Sequence, residues 1–305
     1  MRRDVRTLGV MVALLTPLAG EARLDEAAME QLVQRVVVGG VDAMVALGST
    51  GECASLSLRL RREVRRQVIA CSGGVPVICG VMGTSLDEIQ AEVDRSAEDG
   101  ADAVLVAPPF YYVTGAPGVE AFFERVADLS ALPVILYNIP ALTKIALAPE
   151  SVRRLFLHPR IAGIKDSSRD YDRTQSLVRL AREHPDRGVW TGADTQVLGA
   201  LAAGATGSIT AGANLVPSWI RELANAMAAA DLPRARRIQD ALAALAGACR
   251  RGVSPAGWKA ALAGTGIGTP RMAPPLTALD PETAAAVQRD VKELIARTAL
   301  DDASL

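Results

Sequence analysis

The chain has 305 residues and a formal net charge of −1, with 50% of its residues hydrophobic and 22% charged. This composition supplies enough apolar surface for a large buried core, and it excludes a disordered chain. No cluster of basic residues interleaved with aromatics offers a surface for nucleic acid or for an anionic membrane. We therefore expect a globular protein whose partners are small molecules.

The first predicted element is a strand near the start of the chain. The basic segment Met1–Arg3 precedes an apolar run, Leu8–Leu15, an order that resembles the beginning of a signal peptide. Asp4, an acidic residue between Arg3 and Arg6, and the turn Thr16-Pro17 after the run favour a buried strand instead. No other segment approaches the roughly 20 uninterrupted apolar residues of a membrane helix, so we expect no membrane partner.

From residue 8 to residue 210, short runs rich in Val, Ile and Leu alternate with longer segments that carry charged residues at helical spacing, as in repeated β-α units. The predicted strands are Leu8–Leu15, Ala43–Leu47, Val75–Gly80, Ala103–Ala107, Val134–Tyr137, Ile161–Lys165, Gly188–Thr191 and Gly207–Thr210. They are continuous apolar runs, as expected of parallel strands buried on both faces. Eight such units predict an α/β fold, a (β/α)8 TIM barrel over residues 1–215.

The segments between the strands predict helices, and the pattern changes after the last strand. The predicted helices are Leu24–Val38, Ser57–Cys71, Leu86–Asp99, Val119–Leu129, Pro149–Phe156 and Tyr171–Glu183. Residues Pro217–Ala263 show only helical periodicity, with breaks at Pro233 and Gly252, and Ala284–Ala299 predicts one more helix. We therefore expect a C-terminal helical extension over residues 216–305.

The cysteines bear on the compartment. Cys53, Cys71, Cys79 and Cys249 form neither a CxxC pair nor a zinc spacing, so no metal site is predicted. They are also too few to stabilise a chain of this length through disulfides. We expect free thiols in the reducing cytoplasm.

Lysine is scarce in this sequence, and one lysine has an informative position. The four lysines are Lys144, Lys165, Lys259 and Lys292. Lys165 ends an apolar strand, where its amine would be desolvated at the mouth of the barrel and more of it would be uncharged and nucleophilic. The alternative is a lysine that pairs with Asp166 or extends into solvent.

Two other strand ends carry groups suited to chemistry on a carbonyl. Tyr137 closes the fifth predicted strand in VILYNIP, where a buried phenol can move protons; the alternative is a core tyrosine with a satisfied hydroxyl. The turn Gly48–Glu52 (GSTGE) follows the second strand and offers two hydroxyls and free N–H groups to a carboxylate. The alternative is an ordinary turn that caps the next helix.

The convergence of these positions favours an enzyme. Ser49, Tyr111 (in PPFYY), Tyr137 and Lys165 each follow the carboxyl end of a different predicted strand. That face is where barrel enzymes gather their catalytic groups.

The motifs GSTGE, PPFYY, YNIP and GIKDSS occur in the order and spacing of the dihydrodipicolinate synthase and N-acetylneuraminate lyase superfamily, which the chain resembles over roughly residues 7 to 270. The resemblance implies that Lys165 is the Schiff-base lysine and Tyr137 the proton-transferring tyrosine. It implies that Ser49 and Tyr111 complete a hydroxyl relay, with Tyr111 reaching in from a neighbouring subunit. A homo-oligomer is therefore expected, a homotetramer built as a dimer of dimers.

The resemblance also implies how pyruvate is held. Its carboxylate is expected at Thr50 and the backbone N–H groups of the turn that Gly48 opens, and Ile209 is expected to make a backbone contact close to the lysine. Neither a metal nor an organic cofactor is expected, because the iminium serves as the electrophile.

Three positions bear on which family member this chain resembles. A dihydrodipicolinate synthase would carry an arginine two residues beyond the proline of YNIP, where this chain has Leu142; the change removes charge-assisted hydrogen bonds of about 1.5–3 kcal/mol each. The sialic acid lyase branch usually has an acidic pair after strand seven, but after Gly192 only Asp194 remains here. Lys144 is a candidate for binding a distal carboxylate, the alternative being a solvated loop lysine.

The preferred hypothesis is cleavage of a 2-oxo-3-deoxy sugar acid, or a similar 4-hydroxy-2-oxo acid, into pyruvate and an aldehyde, with the reverse condensation possible. Three alternatives stay open. They are a 4-hydroxy-tetrahydrodipicolinate synthase with a substitute carboxylate anchor, a dehydratase of a 2-oxo-3-deoxy sugar acid, and a non-catalytic barrel that binds an oxo acid.

Overall fold

The computed structural model describes residues 4–20 and 23–298. Within these ranges eight parallel strands form a closed barrel in chain order, and the first strand pairs with both the second and the eighth. The strands are β1 Val10–Ala13, β2 Ala43–Ala46, β3 Val77–Val81, β4 Ala103–Val106, β5 Val134–Asn138, β6 Ile161–Asp166, β7 Gly188–Thr191 and β8 Gly207–Thr210. The predicted barrel is confirmed. Each strand overlaps the segment predicted for it, and β3, β5 and β6 run one residue beyond the predicted end.

Burial explains why the strands lack an alternating pattern. Every residue of the eight strands is buried, because one face fills the barrel and the other packs under the helices. The interior is tight where β8 meets the chain before β1, since a Cβ at Gly207 would overlap the carbonyl oxygen of Gly9. Outside the barrel, Leu18–Gly20 and Arg23–Leu24 pair as a short antiparallel ribbon.

The helices follow the strands with the expected rhythm. They are α1 Glu26–Val38, α2 Leu58–Cys71, α3 Leu86–Glu98, α4 Ala116–Leu129, α5 Pro140–Thr143, α6 Pro149–Leu155, α7 Tyr171–Glu183, α8 Val197–Ala203, α9 Pro217–Ala228, α10 Leu232–Cys249, α11 Ala256–Ala263 and α12 Pro281–Arg297.

Helix α2 shows how the sequence specifies these elements. The hydroxyl of Ser57 caps its start by accepting the N–H of Leu60 at 3.2 Å. Leu60, Val64 and Val68 then lie one turn apart on the buried face. The short helices α5 and α8 were not predicted. Helix α5 has four residues, too few to establish a helical period, and α8 (VLGALAA) has no charged residue to mark an exposed face.

The helical extension after the barrel is confirmed. Helix α9 follows β8 as the eighth helix of the ring, and α10 to α12 come after it. Pro233 lies in the first turn of α10 and begins that helix instead of breaking it. The predicted tail helix ends at Arg297, and Ala299 lies outside the described residues. The division of the chain at residue 215 stays a prediction.

A helix that crosses a membrane needs roughly 20 predominantly apolar residues. None of the helices in residues 4–20 and 23–298 is both long and apolar enough to cross a bilayer.

Candidate active site

A cleft of about 460 Å³ opens at the carboxyl ends of the strands. The predicted residues that line it are Ser49, Thr50, Tyr137, Leu142, Lys165, Gly192, Asp194 and Ile209. A larger groove of about 580 Å³ lies between α1 and α9, and none of the predicted site residues lines it. The smaller cleft is therefore the candidate active site.

Lys165 lies at the floor of the cleft with only 3% of its surface exposed. Its neighbour Asp166 faces the other side of β6, where its carboxylate accepts hydrogen bonds from Asn138 Nδ2 at 2.6 Å and Ser168 Oγ at 2.8 Å. The Lys165–Asp166 pair considered from the sequence is therefore not formed. Within the described ranges, Lys165 Nζ has no hydrogen bond or ion pair, and it lies 4.5 Å from the centroid of the Tyr137 ring.

Tyr137 is placed beside Lys165 by the register of the barrel. Tyr137 on β5 and Lys165 on β6 are paired residues of adjacent strands, so their side chains point into the barrel together. Tyr137 is 3% exposed, and its Oη lies 3.4 Å from Ser49 Oγ, a long hydrogen bond. The arrangement connects the amine, the phenol and a hydroxyl on three strand ends.

The turn after β2 is strained. Leu47 (φ 59°) and Glu52 (φ 60°) both adopt the left-handed conformation without being glycine. The turn packs closely on β3, where a Cβ at Gly80 would overlap the Leu47 carbonyl oxygen. Such strain costs roughly 1–3 kcal/mol per residue and clusters at functional sites.

The strained turn exposes two amide donors. The carbonyl oxygens of Gly48 and Ser49 accept the N–H groups of Cys53 and Glu52, at 3.3 and 3.1 Å. The N–H groups of Ser49 and Thr50 have no acceptor in the part of the chain that the structure describes. Two free N–H groups beside hydroxyls form a site suited to a carboxylate.

A buried ion pair ties this turn to the helical extension. Lys259 Nζ on α11 donates to Glu52 Oε1 at 2.6 Å, and the N–H of Ala273 donates to Glu52 Oε2 at 2.7 Å. Both charged side chains are almost fully buried, and burial lowers the pKa of Lys259 against the attraction of Glu52. No sequence signal predicted this pair, whose members are 207 residues apart.

The segment after β7 forms another wall. A Cβ at Gly192 would overlap Ser167 Oγ and lie 3.0 Å from Lys165 Cε, so glycine leaves the room that the lysine side chain occupies. Asp194 Oδ1 accepts the N–H of Gly212 at 2.8 Å, and burial raises the pKa of Asp194. Ile209 on β8 is fully buried and completes the floor.

Three predicted residues do not line the cleft: Gly48, Tyr111 and Lys144. Tyr111 is 74% exposed and packs edge-on against Tyr112, with ring centroids 5.0 Å apart. Lys144 ends α5 in the left-handed conformation, which turns its side chain back so that Nζ donates to the Ala141 carbonyl at 2.9 Å. Leu142, 61% exposed, lies at the rim. A single chain thus brings neither Tyr111 nor Lys144 to Lys165.

The cleft also contains residues that sequence reasoning did not select, among them Ser167, Arg169, Arg250 and Trp258. Ser167 and Arg169 follow Lys165 at every second position, and a strand-like continuation of β6 could have placed them on the same side. Arg250 and Trp258 come from the end of α10 and from α11. No local pattern links those positions to the mouth of the barrel.

Comparison with known proteins identifies the family. The model of the dihydrodipicolinate synthetase family matches residues 6–294. A 4-hydroxy-tetrahydrodipicolinate synthase of Hyphomonas neptunium is 38% identical over 273 residues, which cover 89% of this chain and 93% of the relative.

Solved structures agree with that match. The dihydrodipicolinate synthase of Bacteroides thetaiotaomicron has a TM-score of 0.91 at 31% identity, covering 95% of this chain and 100% of that one. A prophage protein of the same family from E. coli K12, solved in complex with pyruvate, has a TM-score of 0.90 at 28% identity, covering 94% and 98%. The chain therefore belongs to the dihydrodipicolinate synthetase family, as the motifs predicted, and is a pyruvate-dependent enzyme of the Schiff-base aldolase and lyase type.

Proposed function

We propose that this enzyme cleaves and forms 4-hydroxy-2-oxo acids through a Schiff base on Lys165, with pyruvate as the common product or substrate. The observation that carries the proposal is the buried Lys165 amine, which has no ionic partner among the described residues and lies 4.5 Å from the Tyr137 ring centroid. A buried amine that is not engaged by a carboxylate is free to attack the carbonyl carbon of a bound oxo acid.

In cleavage, the substrate carboxylate binds at the N–H groups of Ser49 and Thr50, and Lys165 Nζ attacks C2. Loss of water gives an iminium that accepts electrons as the C3–C4 bond breaks. Tyr137 Oη takes the proton from the C4 hydroxyl, so the aldehyde leaves and an enamine of pyruvate remains. Protonation of the enamine at C3 and hydrolysis of the iminium release pyruvate and free the lysine.

The proton on Tyr137 needs a path to solvent. Ser49 Oγ at 3.4 Å is the first step, and we assign the second to Tyr111 of a neighbouring subunit. The exposure of Tyr111 and Tyr112 supports this assignment, because two adjacent aromatic rings in water are typical of a surface that a partner covers. The proposed assembly is a homotetramer, a dimer of dimers.

Leu142 and Asp194 bear on the substrate. The apolar Leu142 at the rim supports a sugar-acid substrate over one held by an arginine at that position. Asp194, as a single buried acid, supports a substrate other than the sialic acid of the N-acetylneuraminate lyase branch. A second candidate is the synthase reaction of pyruvate with an aldehyde, which the name of the relative at 38% identity favours.

The proposed compartment is the cytoplasm. All four cysteines are free, and three of them are buried. Burial raises the pKa of Cys53 to about 11 and that of Cys79 to about 12, which keeps both as unreactive thiols. Free structural thiols are typical of a reducing compartment.

Product analysis tests the proposed reaction. The enzyme is incubated with 2-oxo-3-deoxy sugar acids, and separately with pyruvate and a panel of aldehydes that includes aspartate semialdehyde. Release of pyruvate with a free aldehyde supports the cleavage reaction, and Lys165→Met is expected to abolish it. Loss of water without carbon–carbon cleavage would replace the proposal with a dehydratase, and turnover of aspartate semialdehyde alone would replace it with the synthase.

A further inference from the structure

The cleft holds two guanidinium groups that the proposed reaction does not use. Arg169 follows β6 and Arg250 follows α10, and both line the same cleft as Lys165. Neither guanidinium makes an ion pair or a hydrogen bond within residues 4–20 and 23–298. The next residue, Arg251, differs because its side chain is paired with Asp290. Two unpaired arginines therefore lie at one end of the substrate cleft.

The two arginines are close enough to act on one another. The pKa of Arg250 is lowered, first by partial burial and then by the charge of Arg169, while Asp194 opposes both effects. Asp194 is the acid on this side of the cleft, and one of its oxygens already accepts the N–H of Gly212. Two like charges held close to one another repel, and a bound anion relieves that repulsion.

The backbone fixes where Arg169 lies. Its φ of 61° is left-handed, and its carbonyl oxygen accepts a hydrogen bond from Gln196 Nε2 at 3.0 Å. The following residue, Asp170, caps α7 by accepting the N–H of Arg173 at 3.1 Å. Lys165, Ser167 and Arg169 thus lead outward from the reacting amine at alternate positions, and all three line the cleft. Arg169 is placed to meet the far end of a bound substrate.

We propose that Arg169 and Arg250 form an anion subsite that binds a terminal carboxylate or phosphate on the aldehyde half of the substrate. This inference rests on the proposed function and names its substrate class. The subsite supplies, from the end of α10 and the segment after β6, the cationic anchor that Leu142 cannot supply from the segment after β5. Two forked guanidinium groups suit the planar or tetrahedral oxygens of such anions.

The test uses the full-length enzyme, pyruvate and aldehydes paired by length. Succinic semialdehyde is compared with 4-hydroxybutanal, and glyceraldehyde 3-phosphate with glyceraldehyde. The variants are Arg169→Gln and Arg250→Gln, with Arg179→Gln on the exposed face of α7 as a matched control. Kinetics are measured for each aldehyde, and reduction of the pyruvate adduct with borohydride is measured in parallel on every variant.

The wild-type enzyme is expected to prefer the charged aldehyde over the neutral one in at least one pair. A preference for succinic semialdehyde indicates a carboxylate subsite, and a preference for glyceraldehyde 3-phosphate indicates a phosphate subsite. Each of the two variants is expected to raise KM for that aldehyde about tenfold, leaving kcat, the neutral aldehyde and the pyruvate adduct unchanged. Equal use of charged and neutral aldehydes, or equal losses on both in the variants, overturns the subsite while the adduct persists. Absence of the adduct in the wild type overturns the proposed function itself.

Discussion

At the scale of single residues, the environment of Lys165 distinguishes it from the other lysines. Lys259 is bound to Glu52, and Lys144 donates to a backbone carbonyl. The Lys165 amine, by contrast, has no hydrogen-bond or ionic partner among the described residues and lies over the Tyr137 ring. Successive side chains of β6 point to opposite faces of the strand, so Asp166 points away from the barrel interior. There its carboxylate accepts hydrogen bonds from Asn138 and Ser168. The adjacent acid is thereby kept away from the amine.

Gly192→Ala tests how much room the lysine needs. The added methyl group would overlap Ser167 Oγ and lie 3.0 Å from Lys165 Cε. The side chains of Ser167 and Lys165 must therefore shift, which displaces the reacting amine. We expect the rate of pyruvate adduct formation to fall about tenfold or more. The matched change Gly247→Ala, on α10 with open space around it, is expected to leave that rate unchanged. Equal rates in the two variants would contradict the packing argument.

Asp194→Asn tests the raised pKa of Asp194. Burial raises this pKa above the usual 3.8, so the unfolded chain releases the proton first, and the wild-type protein loses stability as the pH rises above 3.8 through the folded value. Asparagine keeps an oxygen for the Gly212 N–H and carries no charge. We expect the variant to be the more stable protein in urea at pH 7, with the difference vanishing below pH 3.8. If Asp194→Asn is less stable than the wild type at pH 7, the charged Asp194 stabilises the fold and the prediction is wrong.

At the scale of elements, the turn after β2 is held from outside the barrel. Leu47 and Glu52 hold strained conformations, and Glu52 is fixed by Lys259 on α11 and by the N–H of Ala273 beyond it. The helical extension therefore does more than cover the barrel. It positions the two free N–H groups at Ser49 and Thr50 that we assign to the pyruvate carboxylate.

Lys259→Met breaks this connection. The change leaves the Glu52 carboxylate buried without its cation, which costs about 3–5 kcal/mol of unfolding free energy. We also expect weaker pyruvate binding, because the turn loses its anchor. Denaturant unfolding and pyruvate titration measure the two effects, and Lys292→Met on the exposed face of α12 is the control. The connection would be disproved by a variant as stable as wild type with unchanged pyruvate affinity.

At the scale of the whole molecule, the barrel was predictable because its signals are local. Each strand is an uninterrupted apolar run, and each catalytic candidate follows the end of a strand in the sequence. The pairings that were missed join residues distant in the chain: Glu52 binds Lys259, and Arg250 lines the same cleft as the residues after β6. The hydrophobic periodicity of the sequence cannot predict such pairings, because they depend on how the helical extension folds over the mouth of the barrel. Tyr111 was predicted at the site, but one chain leaves it in solvent.

The oligomer prediction follows from Tyr111. If a neighbouring subunit supplies this hydroxyl, the enzyme sediments as a tetramer, and Tyr111→Phe lowers kcat about tenfold or more while pyruvate still forms its adduct. Tyr112→Phe removes a hydroxyl from an equally exposed ring and serves as the control. If analytical ultracentrifugation finds a monomer under conditions in which the enzyme is fully active, no neighbouring subunit supplies Tyr111 for proton transfer.

Borohydride reduction in the presence of pyruvate, followed by peptide mass analysis, tests whether Lys165 forms the Schiff base. One reduced pyruvate adduct is expected, on the peptide that contains Lys165, with none on the peptides of Lys144, Lys259 or Lys292. Lys165→Met is expected to remove the adduct, and Lys292→Met to retain it. An adduct on another lysine, or no adduct in an enzyme that still turns over, would contradict the Schiff-base mechanism.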